Sequence, residues 1–126
     1  MPRILIVDDE RAILSLLSKY FARAGYEVQT AGSAEEAMAF CGKESFDALL
    51  SDVHMPETSG HELVQWAAVA QPTIRCVLMS AVENDTDCGD CPYLTGCNLL
   101  SKPFNPANAV ALIDKVLQEA WQSTPD

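Results

Sequence analysis

Apolar and polar positions along this chain follow two alternating rhythms. Ile4, Leu5, Ile6 and Val7 form an unbroken apolar run, the pattern of a strand covered on both faces, and Asp8, Asp9 and Glu10 end it abruptly. From Arg11 the spacing becomes helical, with Ile13, Leu17, Phe21 and Ala24 recurring on one face and Gly25 supplying a stop. Residues 26–31 alternate weakly and carry Val28 and Thr30, as an edge strand would. Ser33, Ala34, Glu35 and Glu36 have capping-box spacing for a second helix running to Cys41. A third strand starts at Ala48 and ends on one carboxylate, Asp52. Pro56 and Gly60 forbid its continuation, so Asp52 is expected at a strand tip, facing a loop. Residues 59–71 read as a third helix, with Leu63, Val64 and Ala67 inward, Trp66 packing and Pro72 closing it.

Cys76, Val77, Leu78 and Met79 form a fourth apolar run ending at Ser80. Leu99 and Leu100 form a short fifth one, followed by Ser101, Lys102, Pro103 and Phe104. Asn105 and Pro106 suit a cap and first turn for a last helix striped by Val110, Ile113, Leu117 and Ala120, with Trp121 sealing its end. Strands alternating with helices over short connections predict an α/β fold: a doubly wound, five-stranded parallel sheet. Between the fourth and fifth strands, Gly89, Pro92 and Gly96 oppose regular helix, so the fourth helix is expected to be irregular or shortened. Residues 1–122 read as one domain and 123–126 as a frayed tail.

The 126 residues suffice for one compact domain and thus one site. A net charge of -10 disfavours direct nucleic-acid binding through a basic face and favours a cation or a basic partner surface. The start of the chain has no apolar signal region, and no run is long enough to span a bilayer, so a cytoplasmic protein without membrane insertion is expected. Five cysteines, an odd number, then imply reduced thiols as the default.

In a parallel sheet all strand tips share one edge, where open α/β sheets place their chemistry. Asp8 and Asp9, Asp52, Ser80 and Lys102 are therefore expected to converge. Clustered carboxylates repel one another unless a cation sits among them, and a hard divalent ion such as Mg2+ meets that need with carboxylates, a carbonyl and waters. Lys102 as a point charge and Ser80 as a small donor suit the oxygens of a phosphoryl group. An ordinary aspartate needs no general base to act as nucleophile, being ionised at neutral pH.

Asp8 and Asp9 after the first strand, Asp52 with Met55, Pro56 and Gly60 after the third, Ser80 and Ala81 after the fourth, and Lys102, Pro103 and Phe104 after the fifth together resemble the receiver domain of two-component response regulators. The likeness covers nearly the whole chain. It implies a flavodoxin-like sheet in the order 2-1-3-4-5. It implies that Asp52 accepts a phosphoryl group from a histidine kinase or phosphotransfer protein. Asp9, Asp52 and the backbone carbonyl of His54 would hold Mg2+, with Asp8 assisting through water. Ser80 and Lys102 would bind the phosphoryl oxygens. Ser80 would then move, with Leu99, to reshape a surface read by an unknown downstream protein. Beyond accepting and slowly losing its own phosphoryl group, such a domain is not an enzyme, and it stands alone or forms part of a longer regulator.

Two features depart from the family pattern. Leu99 stands where an aromatic is usual, which removes the ring's polar handle. Cys88, Cys91 and Cys97 begin like a metal knuckle but offer three local ligands where structural zinc takes four. Reduced packing, a disulfide or a metal site completed from elsewhere are all open for them, whereas Cys41 and Cys76 read as small buried hydrophobes. The segment also supports a rival function, a receiver-derived interaction module that senses redox state or metal while phosphorylation is vestigial. A phosphatase like the haloacid dehalogenases would need an acid where His54 stands. A flavodoxin-like cofactor binder would want a phosphate cradle where Asp8, Asp9 and Glu10 stand.

Overall fold

The structure is a computed structural model, and it describes residues 2–53, 58–71, 73–80, 98–101 and 105–122. Among the described residues nine elements follow in order: β1 (Arg3–Val7), α1 (Arg11–Arg23), β2 (Glu27–Ala31), α2 (Ala34–Cys41), β3 (Ala48–Asp52), α3 (Gly60–Ala70), β4 (Arg75–Ser80), β5 (Asn98–Ser101) and α4 (Pro106–Gln122). All strand pairs are parallel and the sheet order is β2-β1-β3-β4-β5. The chain therefore reverses its winding between β1 and β3, the point where open sheets of this kind carry their sites.

The apolar runs of β1, β3 and β4 are continuous because these strands are buried on both faces, whereas the edge strand β2 is only half-buried, and the period of two sorts the buried residues into two cores. Ile4, Ile6, Ala48, Leu50, Val77 and Met79 pack with Leu17 and Phe21 of α1 and Ala109, Ile113 and Val116 of α4. Leu5, Val7, Leu49, Cys76 and Leu78 pack on the opposite face with Ala34, Ala37 and Cys41 of α2 and Leu63, Val64 and Ala67 of α3. Burial of side chains of this size contributes roughly 1.5–3 kcal/mol each, so the two cores carry most of the favourable free energy.

The helix signals acted largely as their chemistry dictates. Gly25 takes a left-handed φ of 96° directly after the C-cap of α1, where a Cβ would be strained. The Ser33 hydroxyl accepts from the N–H of Glu36 at 3.1 Å, while the Glu36 carboxylate accepts from Gly32 rather than from the cap residue itself. The Asn105 side chain accepts from the N–H of Ala107 at 2.9 Å, capping α4. Three expectations need correction. Ala24 is the exposed C-cap of α1 rather than a core position. Trp66, expected to pack, is 37% exposed, because it lies at the edge of the face of α3 that buries Leu63 and Ala67. The buried stripe of α4 runs through Ala109, Ile113 and Val116, with Val110 and Leu117 at its margin. Residues 81–97, and with them the expected irregular fourth helix, lie outside the described residues, as does the tail 123–126.

Candidate functional site

The site is built from strand ends. Register pairs Val7 with Ser51, so Asp8 follows β1 beside Asp52 at the end of β3. Asp52 is in turn opposite Met79, and Ser80 is opposite Ser101, the residue before Lys102. Parity then aims the acids. Asp8 continues the sequence of Ile4 and Ile6, and Asp52 that of Ala48 and Leu50, so both belong to the face covered by α1 and α4. The sheet thus brings together, at one edge, residues more than forty positions apart in the chain.

Asp8 has no exposed surface and Asp52 is 6% exposed, while Asp9 and Glu10 face solvent. The Asp8 carboxylate accepts from the N–H of Glu10 at 2.9 Å, and the N–H of Asp8 donates to the carbonyl of Ala31 at 3.2 Å, which extends the β1–β2 ladder past the strand. Carboxylate oxygens of Asp8, Asp9 and Glu10 lie within 4.8 Å of one another. That spacing and the hard oxygen donors fit a divalent cation of the Mg2+ type. This trio differs from the expected one. Glu10 joins Asp8 and Asp9, and Asp52 adjoins the trio by register. Glu10 is the N-cap residue of α1, yet its side chain makes no capping hydrogen bond and turns to the acids instead. The run of three acids was the signal in the sequence, though it did not say which of them would cluster.

Next to the acids lies an open cleft of about 570 Å3, walled by Asp8, Asp9, Arg11, Ser15, Thr30 and Glu36 among others. It sits on the β2 side of β1, away from Asp52. Across β3, the Thr58 hydroxyl donates to the Glu35 carboxylate and holds it below the usual carboxylate range, tying the connection after β3 to the start of α2. Two residues not assigned to the site from the sequence touch the backbone of Asp52. The buried Ser51 hydroxyl donates to its carbonyl at 3.0 Å, and Gly60, the first residue of α3, lies against it.

Ser80 is the last residue of β4, and Leu99 lies in β5 opposite Leu78. His54, Lys102 and Cys88, Cys91 and Cys97 lie outside the described residues. Cys41 and Cys76 are buried free thiols, as expected; burial pushes the Cys76 thiol up to about 12. Among the described residues no helix is long and apolar enough to cross a membrane.

Comparison with known proteins agrees with this geometry. Residues 4–114 match the family model of the response regulator receiver domain. The chain is 34% identical over 127 residues to the two-component response regulator ARR14 of Arabidopsis thaliana, covering 95% of this chain and 30% of that protein. A CheY-like receiver domain protein from Methanospirillum hungatei JF-1 superposes with a TM-score of 0.85 at 29% identity, covering 97% of this chain and 98% of that one. The response regulator TrrA of Thermotoga maritima, solved in complex with Mg2+ and BeF, gives 0.80 at 27% identity, with coverage of 92% and 99%. The chain spans from about a quarter to about half the length of the curated relatives it matches. With strand order, acid tip and family model in agreement, this chain belongs to the response regulator receiver domain family.

Proposed function

We propose that residues 1–122 work as the phosphoacceptor receiver of a two-component system, with Asp52 taking a phosphoryl group from a histidine kinase or a phosphotransfer protein. The observation that carries this reading is the placement of Asp52, nearly buried at the end of β3, in register beside Asp8. A carboxylate fixed at a strand end can attack in line without a base, while the sheet behind it excludes water from its flanks. Asp8, Asp9 and Asp52, with the His54 carbonyl, would hold Mg2+, and Glu10 stands close enough to add its charge. Bound there, the cation supplies neutralisation of the phosphoryl oxygens as they approach the acids. Ser80, the last residue of β4, and Lys102, which follows Ser101 in the sequence, would take those oxygens by hydrogen bond and charge.

Phosphorylation adds about -1.5 to -2 charge at neutral pH. Drawing Ser80 toward that charge, with Leu99 following in β5, would shift a surface equilibrium read by a downstream protein. Beyond accepting and slowly losing its own phosphoryl group the domain is not an enzyme; it binds no nucleic acid directly and works in the cytoplasm. Incubation with a small phosphodonor and Mg2+ is expected to add one phosphoryl group by intact mass, and Asp52→Asn to abolish the gain. An unchanged wild-type mass under several donors, or an undiminished gain in Asp52→Asn, overturns the reading.

A further inference from the structure

We infer that Gly60 and Ser51 are positioning residues that both close on the backbone carbonyl of Asp52 and so set where its carboxylate stands relative to Asp8 and Asp9. A methyl group added at Gly60 would lie 2.2 Å from the carbonyl oxygen of Asp52, 2.9 Å from its carbonyl carbon and 2.9 Å from the Cα of Val53. Real Cβ atoms do not approach backbone that closely, so the first turn of α3 or the end of β3 must give way. The dihedral angles do not demand glycine here. Gly60 starts a regular helix without a left-handed φ, in contrast to Gly25, so space alone excludes alanine.

The grip is directional. The N–H of Gly60 donates to the Val53 carbonyl at 2.9 Å, and the N–H of Val53 donates to Met79 at 2.9 Å, so α3 is seated on β3 while β3 is held by β4. The first turn of α3 is itself fixed, because the Ser59 hydroxyl accepts from the N–H of Glu62 at 3.2 Å. From within β3 itself, the fully buried Ser51 hydroxyl donates to the same Asp52 carbonyl that Gly60 touches. The middle of β3 is buried and paired on both edges, so any yielding concentrates at Asp52 and Val53, and a shift there carries the Asp52 side chain with it.

The inference rests on the proposed phosphoacceptor role, and the experiment separates the two. Mg2+ affinity is titrated by calorimetry, and phosphorylation by a small phosphodonor is followed by intact mass, in wild type, Gly60→Ala, Ser51→Ala and Gly25→Ala. Gly60→Ala is expected to bind Mg2+ about tenfold more weakly and to be phosphorylated about 100-fold more slowly. Ser51→Ala, which adds no atom and removes one hydrogen bond, is expected to lose on the order of threefold in each. Gly25→Ala strains a backbone far from Asp52 and is expected to lower thermal stability while leaving Mg2+ affinity at the wild-type value. A folded Gly60→Ala with wild-type Mg2+ affinity and rate overturns the grip. Should Gly60→Ala not fold, Ser51→Ala decides, and unchanged affinity there overturns it. A wild type that binds Mg2+ but gains no mass overturns the phosphoacceptor role, and the Mg2+ titrations still judge the grip; a wild type that fails to bind Mg2+ overturns both.

Discussion

Tyr26 is buried behind the end of α1, its ring edge-on to Phe21 at 5.1 Å, and its hydroxyl donates to Asp114 of α4. Burial first, and the Asp114 carboxylate second, raise its pKa above the ordinary 10.0. The folded protein therefore keeps the phenol proton after the unfolded chain has lost it. The stability this group contributes is complete below pH 10 and declines as pH rises from there toward the folded value. Tyr26→Phe is expected to cost about 1 kcal/mol at neutral pH and to show a shallower alkaline decline, checked by urea melts between neutral and strongly alkaline pH. The two buried thiols make a second residue-scale prediction. Cys41 and Cys76 are held protonated by burial, so a maleimide at mildly alkaline pH should leave both unlabelled in the native protein and label both in urea, read by peptide mass mapping. Rapid native labelling of Cys76 would mean that its core is open. These two residues were legible in advance because Cys76 opens the apolar run of a strand and Cys41 closes a helix rich in apolar residues. The tilt of Glu10 toward Asp8 and Asp9 was not, since the acid run is equally compatible with a solvated helix start.

At the scale of elements, caps and faces do separable work. Ser33 satisfies an orphan N–H of α2, so Ser33→Ala should cost about 1 kcal/mol without moving the acids at the strand ends. Phe21 fills the core between α1, the sheet and α4, and Phe21→Ala should cost about 3–5 kcal/mol. Chemical denaturation of both variants checks the pair; equal losses would contradict the burial assigned to Phe21. The strands were readable as doubly covered because Ile4 to Val7 and Ala48 to Leu50 carry no polar alternation. The helix boundaries followed from Gly25, Ser33 and Asn105, each acting through a local hydrogen bond or dihedral. Which helical residues face inward was less legible: Trp66 is apolar by composition but lies at the margin of the face of α3 that buries Leu63 and Ala67, and only the packing of those two fixes that rotation.

For the whole molecule, a net charge of -10 with several acids gathered at one sheet edge means that a bound divalent cation stabilises the folded chain by mass action. Mg2+ at about 100 times its dissociation constant should add about 2.7 kcal/mol, visible as a rise in melting temperature that Asp9→Asn largely removes. A melting temperature indifferent to Mg2+ would count against a cation at the acid tip. The sequence by itself determined the alternation of strands and helices, the two-sided burial of the sheet and the chemistry available at each strand end, because these depend on local periodicity and on residue type. Only the tertiary structure decided that Glu10 clusters with Asp8 and Asp9 and that Gly60 and Ser51 close on the backbone of Asp52. The first depends on which rotamers the packed strand end leaves to three neighbouring acids, and the second on how α3 seats against β3; a distance of 2.2 Å between a missing methyl and a carbonyl oxygen leaves no mark in the chain beyond a glycine.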